Sequence, residues 1–514
     1  MDTGIRRSSA ADRRADAIIL GSLLLFCFIF RLSTLMMVHT GIDERDYWFA
    51  AKALTQSLPY PELTHRTVRF SVILPVALAQ LVLGVHPNVY YLLPILNSMA
   101  QVALAFAVGV RIKGRLTGFL AALGLILFPY LVRAGSQVRP EIFSMTYMLF
   151  AVWFLIIYLE RKEKPVAPLL LISAFLFLAY EAKITNLFFL PGFVAVILAG
   201  KRRVADALIL CGSLFSLYLA ETGLYAIFTE YRFGQLEVIA SHHLSQDVPL
   251  LTDLRFTDLF RRYSDEFLQD YWRWPFAFFA VAGIAAFIRR KEKAVMALAG
   301  ISASFFFFLT FAVRSFDPLV PAEDFINRYF CAVLGPVFLV LASAAEDILR
   351  IASRRLGLRI RLTGARYVVA SMLLAVAIPV LFSFKAKLPA SVAEYALSPL
   401  EPTEHTLVLT DRYMKEARSA YETGGAILAA DSNGGRNALG SCAAYFLDSK
   451  KFEGGRLPSI VTVIVGGKSF AVLGRIEALE GTYTALAAVR DPLRLQRIEL
   501  ASIADLTQDA FPKR

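Results

Sequence analysis

The sequence predicts a polytopic α-helical membrane protein with about eleven transmembrane helices, juxtamembrane helices on its outer face and a soluble α/β domain towards its C-terminus. Three observations predict it. Of 514 residues, 57% are hydrophobic and 13% aromatic, and the mean hydropathy is +0.55, well above the apolar share of ordinary soluble domains. The apolar residues form runs of about the length a bilayer demands, roughly 17 to 25 residues. Short basic clusters recur after every second run, as the positive-inside rule requires of cytoplasmic loops. That distribution accounts for the net charge of +12 and argues against nucleic acid as a partner.

Taken in order, Arg6, Arg7, Arg13 and Arg14 precede an apolar run at 17–30, which imitates a signal peptide. No small-x-small cleavage site follows, and the run continues past Arg31 to Val38. It reads as an uncleaved first span behind a cytoplasmic segment at 1–15. Further spans are expected at 88–110, 116–132, 141–160, 165–180, 184–200, 204–228, 274–288, 294–313, 328–345 and 366–384. Between pairs of them lie basic clusters such as Arg111/Lys113/Arg115, Lys201/Arg202/Arg203 and Arg350/Arg354/Arg355. The apolar stretch 70–84 holds Pro75 and Gln80 and is short for a crossing. Counting it would move every later basic cluster outside, so it is expected to lie on the outer face as a re-entrant or interfacial helix.

The expected topology places the N-terminus inside and the loop 39–69 outside, with a membrane domain over 16–387 in the cytoplasmic (inner) membrane. Residues 388–514 read as an extracytoplasmic α/β domain. Within it, 406–409, 426–430, 460–465 and 482–489 resemble strands. The stretch 436–447, after the Asn433-Gly434-Gly435 turn, resembles a helix. Cys27, Cys211 and Cys331 lie in apolar runs and Cys442 in a polar region, which indicates no disulfide framework.

Charges outside the basic inner clusters gather on one face, in 39–69, 133–141, 180–183, 229–273 and 314–328. Acids beside a membrane boundary are functional-site candidates, although acids at a helix start also satisfy the helix dipole. Asp43 and Glu44 are adjacent, hence about 100° apart on a helix, and one of them would face a cavity as a general base. Asp46 completes that cluster. Glu141 follows Arg139-Pro140, a helix-starting proline, and fits either a site acid or a first-turn acid. The cationic candidates are Arg66, Arg69, Arg139, Lys183 and Arg328; arginine binds phosphate bidentately and lysine as a point charge. Each also fits an interface anchor. Glu181 has the wrong spacing to pair with Lys183 on one helical face.

The six histidines show no metal-ligand spacing. No metal or other cofactor is expected to be required, though a divalent cation could be recruited by acids such as Asp43. Tyr271-Trp272-Arg273-Trp274 reads as an interfacial aromatic belt. No Walker A pattern or internal repeat is present, which disfavours pumps and repeat-built transporters.

The ordered motifs carry a resemblance. After the first span come Asp43-Glu44-x-x-Tyr47, opening a juxtamembrane helix, and a short apolar helix ending in Leu83-Gly84. Arg139-Pro140-Glu141, Lys183 at the opening of a later span, and Asn327-Arg328-Tyr329 before an apolar run with Pro336 follow. Over residues 16–345 this order resembles the GT-C fold glycosyltransferases, especially the protein mannosyltransferase and aminoarabinose transferase group that use polyprenyl-phosphate sugars. His65-Arg66-Thr67-Val68-Arg69 departs from the Pro-Pro of the mannosyltransferase type and looks closer to the Arg-Ser segment of lipid-linked-oligosaccharide mannosyltransferases, which leaves the sugar open.

The resemblance implies an inverting transfer of a sugar from a polyprenyl-phosphate donor to a hydroxyl of a lipid, glycan or protein on the extracytoplasmic face. In that scheme Asp43 is the catalytic base with Glu44 beside it, and Glu141 is the second acid. Lys183 and Arg328 contact donor phosphate or sugar, with Arg66, Arg69, Arg139 and Tyr329 around them. A rival reading is a transporter or flippase for a lipid-linked or anionic solute, whose charges would line a path near the midplane. A third is a sensor whose outer domain binds a partner.

Overall fold

The computed structural model describes residues 10–34, 42–56, 60–61, 63–85, 87–161, 165–199, 203–245, 257–259, 272–289, 292–316, 319–321 and 327–355, and five short strands beyond 426. The chain divides into two compact units. One comprises Met1–Thr34, Pro61–Pro75 and Leu93–Phe384, the other Leu35–Tyr60, Val76–Leu92 and Lys385–Arg514.

The helices are α1 (Ala10–Ser33), α2 (Ile42–Thr55), α3 (Phe70–Leu83), α4 (Pro87–Ile112), α5 (Arg115–Leu127), α6 (Pro129–Ala134), α7 (Pro140–Glu160) and α8 (Val166–Ala182). A 3₁₀ turn at Ile184–Phe189 leads into α9 (Leu190–Leu198), followed by α10 (Arg203–Phe228), α11 (Gln235–Ser245), α12 (Arg273–Arg289) and α13 (Lys293–Phe311). A β-hairpin of β1 (Val313–Phe316) and β2 (Leu319–Pro321) precedes a second 3₁₀ turn at Asn327–Cys331 and α14 (Leu334–Arg355).

Among the described residues five helices are long and apolar enough to cross a membrane: Asp12–Ser33, Val89–Ile112, Pro140–Glu160, Val204–Phe228 and Lys293–Phe311. Several other expected spans are interrupted, each for a local reason. The run at 116–132 breaks at Phe128, which is extended (ψ 122), because a residue before proline avoids the helical region and Pro129 follows. The run at 184–200 opens as a 3₁₀ turn and becomes α-helical only at Leu190–Leu198. The run at 328–345 is a 3₁₀ turn before α14, which continues to Arg355. The expected span 366–384 lies outside the described residues.

In the first unit, α1 presents Ile19, Leu23, Phe26 and Phe30 to Val102 and Phe106 of α4 and to Phe119, Ala122 and Ile126 of α5, the spacing of one helical face. Helices α4 and α5 form a tight hairpin. Gly114 turns it at φ +151°, and a Cβ on Gly109 would lie 2.5 Å from the Gly118 Cα; only glycine permits that backbone conformation and approach. The main core lies among α5, α7, α8, α9, α13 and α14, around residues such as Leu125, Met148, Leu176, Phe193, Phe305 and Val337. Leu208, Phe215, Leu219 and Ile227 of α10 remain exposed, an apolar face suited to lipid.

Two polar layers cap this bundle. At one end Arg111 pairs with Glu160, Arg115 with Asp12 and Asp16, and the buried Lys113 Nζ reaches Glu292 Oε1 at 3.0 Å and Asp347 Oδ1 at 2.8 Å. Nineteen residues along α7 from Glu160 is Glu141, roughly 29 Å away at 1.5 Å per helical residue, close to the thickness of a hydrocarbon core.

Arg31 is buried where α5 stops. Its guanidinium donates to the carbonyls of Ile126 (3.0 Å) and Leu125 (3.3 Å) and to Ser98 Oγ (3.3 Å). Pro129 has no N–H for the Leu125 carbonyl, and Arg31 supplies the missing donor. A Cβ on Gly135 would come within 2.7 Å of Arg31 Nε, so the loop after α6 is moulded against the same side chain.

In the second unit, Tyr47, Trp48, Ala50 and Ala51 of α2 are buried, Trp48 lies 5.6 Å from the Tyr90 ring and Gln80 Nε2 donates to the Trp48 carbonyl at 3.2 Å. The helix expected at 436–447 is corrected where described. Ala444–Phe446 is a strand, β4, pairing in parallel with β3 (Ile427–Ala429), and its adjacent aromatic pair Tyr445-Phe446 favours a pleated strand. A three-stranded antiparallel sheet is formed by β5 (Gly474–Leu479), β6 (Thr482–Ala488) and β7 (Leu495–Leu500), with β6 central. Strands β3 and β6 occupy two of the expected positions; 406–409 and 460–465 lie outside the described residues.

Replacing Arg31 with Met should leave the α5 carbonyls without donors and lower stability by about 2 to 4 kcal/mol. Thermal unfolding of the purified protein in detergent measures this; an unchanged midpoint would show that the cap contributes nothing.

Candidate active site

Helix α7 begins abruptly. Arg139 is extended (φ −123°, ψ 141°) and Pro140 occupies the first helical position, where its missing N–H costs nothing. Gln101 of α4 grips this first turn, its Nε2 donating to the Ile142 carbonyl at 2.9 Å and to Thr146 Oγ1 at 3.0 Å. Glu141 is thereby fixed at the end of the bundle. Helix α8 stops equally sharply at Lys183, which is extended (φ −161°, ψ 118°). Asn186 Nδ2 donates at 2.7 Å to the Ala179 carbonyl, which also accepts from the Lys183 N–H at 2.9 Å.

These two ends meet. Lys183 Nζ lies 2.9 Å from Glu141 Oε1, with side chains only 7% and 4% exposed. Arg328 Nε, from the second 3₁₀ turn, is 3.8 Å from the same oxygen. Lys183 Nζ sits 3.7 Å above the centroid of Tyr329, and the Arg328 guanidinium is 5.8 Å from that ring. Arg139 adds its charge to the field at Glu141, and Arg69 to the field at Lys183. Arg69 stands just before α3, its carbonyl accepting from Val72 N and Ile73 N, and Tyr147 Oη of α7 donates to the Ser71 carbonyl at 2.7 Å.

Burial pushes the Lys183 ammonium below its ordinary value, to about 8; the Glu141 carboxylate opposes the fall, and Arg328 and Arg69 add to it. Lys183 therefore stays charged at neutral pH, held by one carboxylate among several cations. Such a cluster is suited to an oxyanion that can engage arginine as a fork and lysine as a point charge.

Of the residues singled out in the sequence, Glu141, Arg139, Lys183, Arg328, Tyr329 and Arg69 are brought together in the first unit. Arg66 lies in the preceding turn, where its N–H donates to Thr64 Oγ1 at 3.3 Å. Asp43 and Glu44 lie in the first turn of α2, in the second unit, and their side chains fall outside the described residues. Glu181 interacts with Glu221 of α10. Among the described residues, no three His, Cys, Asp or Glu side chains converge.

The aromatic belt expected at 271–274 is corrected at Trp272. It is 1% exposed, wedged against Phe128 (4.9 Å), Tyr130 (5.3 Å) and Phe276 (5.7 Å), because the break at Phe128 opens a slot that a large ring fills. Trp274, 58% exposed, does face outward. Sequence reasoning missed Tyr130, whose ring is part of this wall and whose hydroxyl lies in the field of Glu141, Arg139 and Arg328. Pro129 was the available signal, since it ends α5 one residue earlier.

Removing either partner of the buried pair strands the other, which typically costs about 3 to 5 kcal/mol. Glu141→Gln and Lys183→Met should each lower unfolding stability by about that much, and the double variant by distinctly less than the sum. Additive losses in thermal or denaturant unfolding would refute the coupling.

No family model and no curated protein matches the chain. Among solved structures it is similar to ArnT from Cupriavidus metallidurans bound to undecaprenyl phosphate, at 14% identity over 94% of this chain and 97% of that chain, with a TM-score of 0.49. It is similar to the Archaeoglobus fulgidus oligosaccharyltransferase in its apo form, at 13% identity over 78% of this chain and 63% of that one, with a TM-score of 0.44. The arabinosyltransferase EmbB from Mycobacterium smegmatis matches at 13% identity over 76% and 40% of the two chains, with a TM-score of 0.38. At these scores the likenesses carry no weight, and the functional reading rests on the site itself.

Proposed function

We propose that the protein is a membrane glycosyltransferase that moves a sugar from a polyprenyl-phosphate donor to an acceptor hydroxyl on a lipid, glycan or protein, at the extracytoplasmic face. The observation that carries this reading is the buried Glu141–Lys183 pair with Arg328 and Tyr329 converging on it, at the end of a bundle about one hydrocarbon thickness long. A lipid phosphate at the membrane surface is the ligand such a position and charge suit. Charges at helix ends, rather than at the midplane, favour a transferase over a carrier.

Lys183 and Arg328, with Arg139 and Arg69 near them and Arg66 in the adjoining turn, receive the donor phosphate and stabilise it as it leaves. Asp43, taken from the sequence pattern, accepts the proton of the acceptor hydroxyl. The oxygen forms its bond to the anomeric carbon as the bond from that carbon to the phosphate oxygen breaks, and the electron pair departs with the lipid phosphate. A phosphate leaves as a stable anion and needs no protein acid. One displacement inverts the anomeric configuration. Glu44 flanks the base, and either acid could recruit a hard divalent cation.

In proteoliposomes supplied with donor, Asp43→Asn should lose most turnover, about a hundredfold or more, while retaining donor binding; near-normal turnover would sink the assignment. Because the Lys183 charge is present below about pH 8 and lost above it, kcat/KM for the donor should fall as pH rises through that value. A pH profile in which Lys183→Arg removes the decline would attribute it to this residue; a decline unchanged in that variant would not.

A further inference from the structure

Helix α14 changes character along its length. Its first half packs into the main core, with Leu334, Val337, Leu339 and Val340 buried. It then enters the polar layer at the end of the bundle opposite Glu141. There the buried Glu346 Oε2 accepts from Thr117 N at 3.0 Å and from Thr117 Oγ1 at 2.5 Å, and Asp347 Oδ1 meets Lys113 Nζ at 2.8 Å. Past that layer the helix runs on to Arg355 with its surface uncovered: Ile348 is 66% exposed, and Leu349, Arg350, Ile351, Arg354 and Arg355 are exposed with it. From Asp347 to Arg355 is about 12 Å at 1.5 Å per residue. Headgroups add roughly 5 to 8 Å on each side of a hydrocarbon core, so this tail passes through the whole depth of that layer.

The acids at this end are engaged within the bundle. Asp12 and Asp16 pair with Arg115 at 2.8 and 2.5 Å, Glu292 and Asp347 with Lys113, and Glu346 with Thr117 and Arg350. Arg354 and Arg355 form no ion pair among the described residues, and neither do the exposed Arg13 and Arg14 of α1. Arg115, which holds the start of α1, is two residues from Thr117, which holds Glu346, so both arginine pairs belong to one end of the bundle. The chain continues basic after α14, with Arg359 and Arg361. Uncovered isoleucine and leucine interleaved with arginine at headgroup depth are the makings of an interfacial segment. Three apolar side chains on one helix tail fall well short of a stable protein interface, whereas a lipid surface requires only shallow insertion and opposite charge. We propose that the last two turns of α14 bind anionic phospholipid headgroups, Arg354 and Arg355 taking the phosphates as forks while Ile348, Leu349 and Ile351 enter the acyl boundary. This inference does not rest on the transferase reading.

The test titrates the full-length protein in detergent with phosphatidylglycerol or with phosphatidylcholine of the same acyl chains, and reads bound lipid by native mass spectrometry. The wild type should bind phosphatidylglycerol about tenfold more tightly than phosphatidylcholine. The double variant Arg354→Gln, Arg355→Gln should weaken phosphatidylglycerol about tenfold, in line with the attraction of two arginines to an anionic surface, and leave phosphatidylcholine within about twofold. Arg354→Lys, Arg355→Lys, which keeps the charge, should retain most of the preference. A wild type indifferent to headgroup charge would overturn the proposal. So would a preference undiminished in the glutamine variant, which would place the selectivity elsewhere, as at the Lys183 cluster. Equal weakening of both lipids in that variant would show a structural loss in place of a headgroup contact, and would overturn it as well.

Discussion

The buried ion pair between Glu141 and Lys183 is the interaction on which the rest of the site depends. Two charges taken almost wholly out of water are tolerable only in close mutual contact, and at 2.9 Å with both side chains nearly inaccessible neither can relax without stranding the other. The pair joins the first turn of α7 to the residue immediately after α8. It thereby sets where Arg328 and Tyr329 must arrive.

Interrupted helices make this arrangement attainable. A continuous apolar helix would carry Lys183 past the bundle end, whereas the chain stops α8 there and continues through a 3₁₀ turn. Pro129 and Pro140 do the same on either side of the loop that holds Arg139, and Arg31 satisfies the carbonyl that Pro129 leaves open. Irregular backbone at the edge of a membrane domain is acceptable where protein groups replace the lost helical hydrogen bonds. The same breaks explain why several apolar runs are shorter as helices than as stretches of sequence.

Lys183 and Arg328 converge on one oxygen of Glu141, an arrangement suited to stabilising a departing phosphate, and Trp272 packs against Tyr130 within an aromatic wall. Electrostatic stabilisation of this kind is effective because the donors are held in place before the ligand arrives.

Much of this was legible in the sequence because membrane proteins write charge sparingly. In runs so apolar, Glu141, Lys183 and Arg328 stand out, and the Arg139-Pro140-Glu141 order locates a helix start without any structure. Long apolar runs such as 141–160 and 204–228 determine helices, since a bilayer accepts few other conformations. Other features are tertiary. That Glu141 meets Lys183, forty-two residues away, follows from the antiparallel return of α8 along α7, which no local pattern encodes. Trp272 reads as a surface belt residue from its neighbours and becomes a core residue only because the break before Pro129 leaves a cavity of its size. Tyr130 is marked in the sequence only by the Pro129 before it, and its packing against Trp272 is set by the tertiary fold. Sequence by itself determined which residues carry charge and where helices can start; the tertiary fold decided which of those charges share an oxygen, because burial converts proximity into obligation.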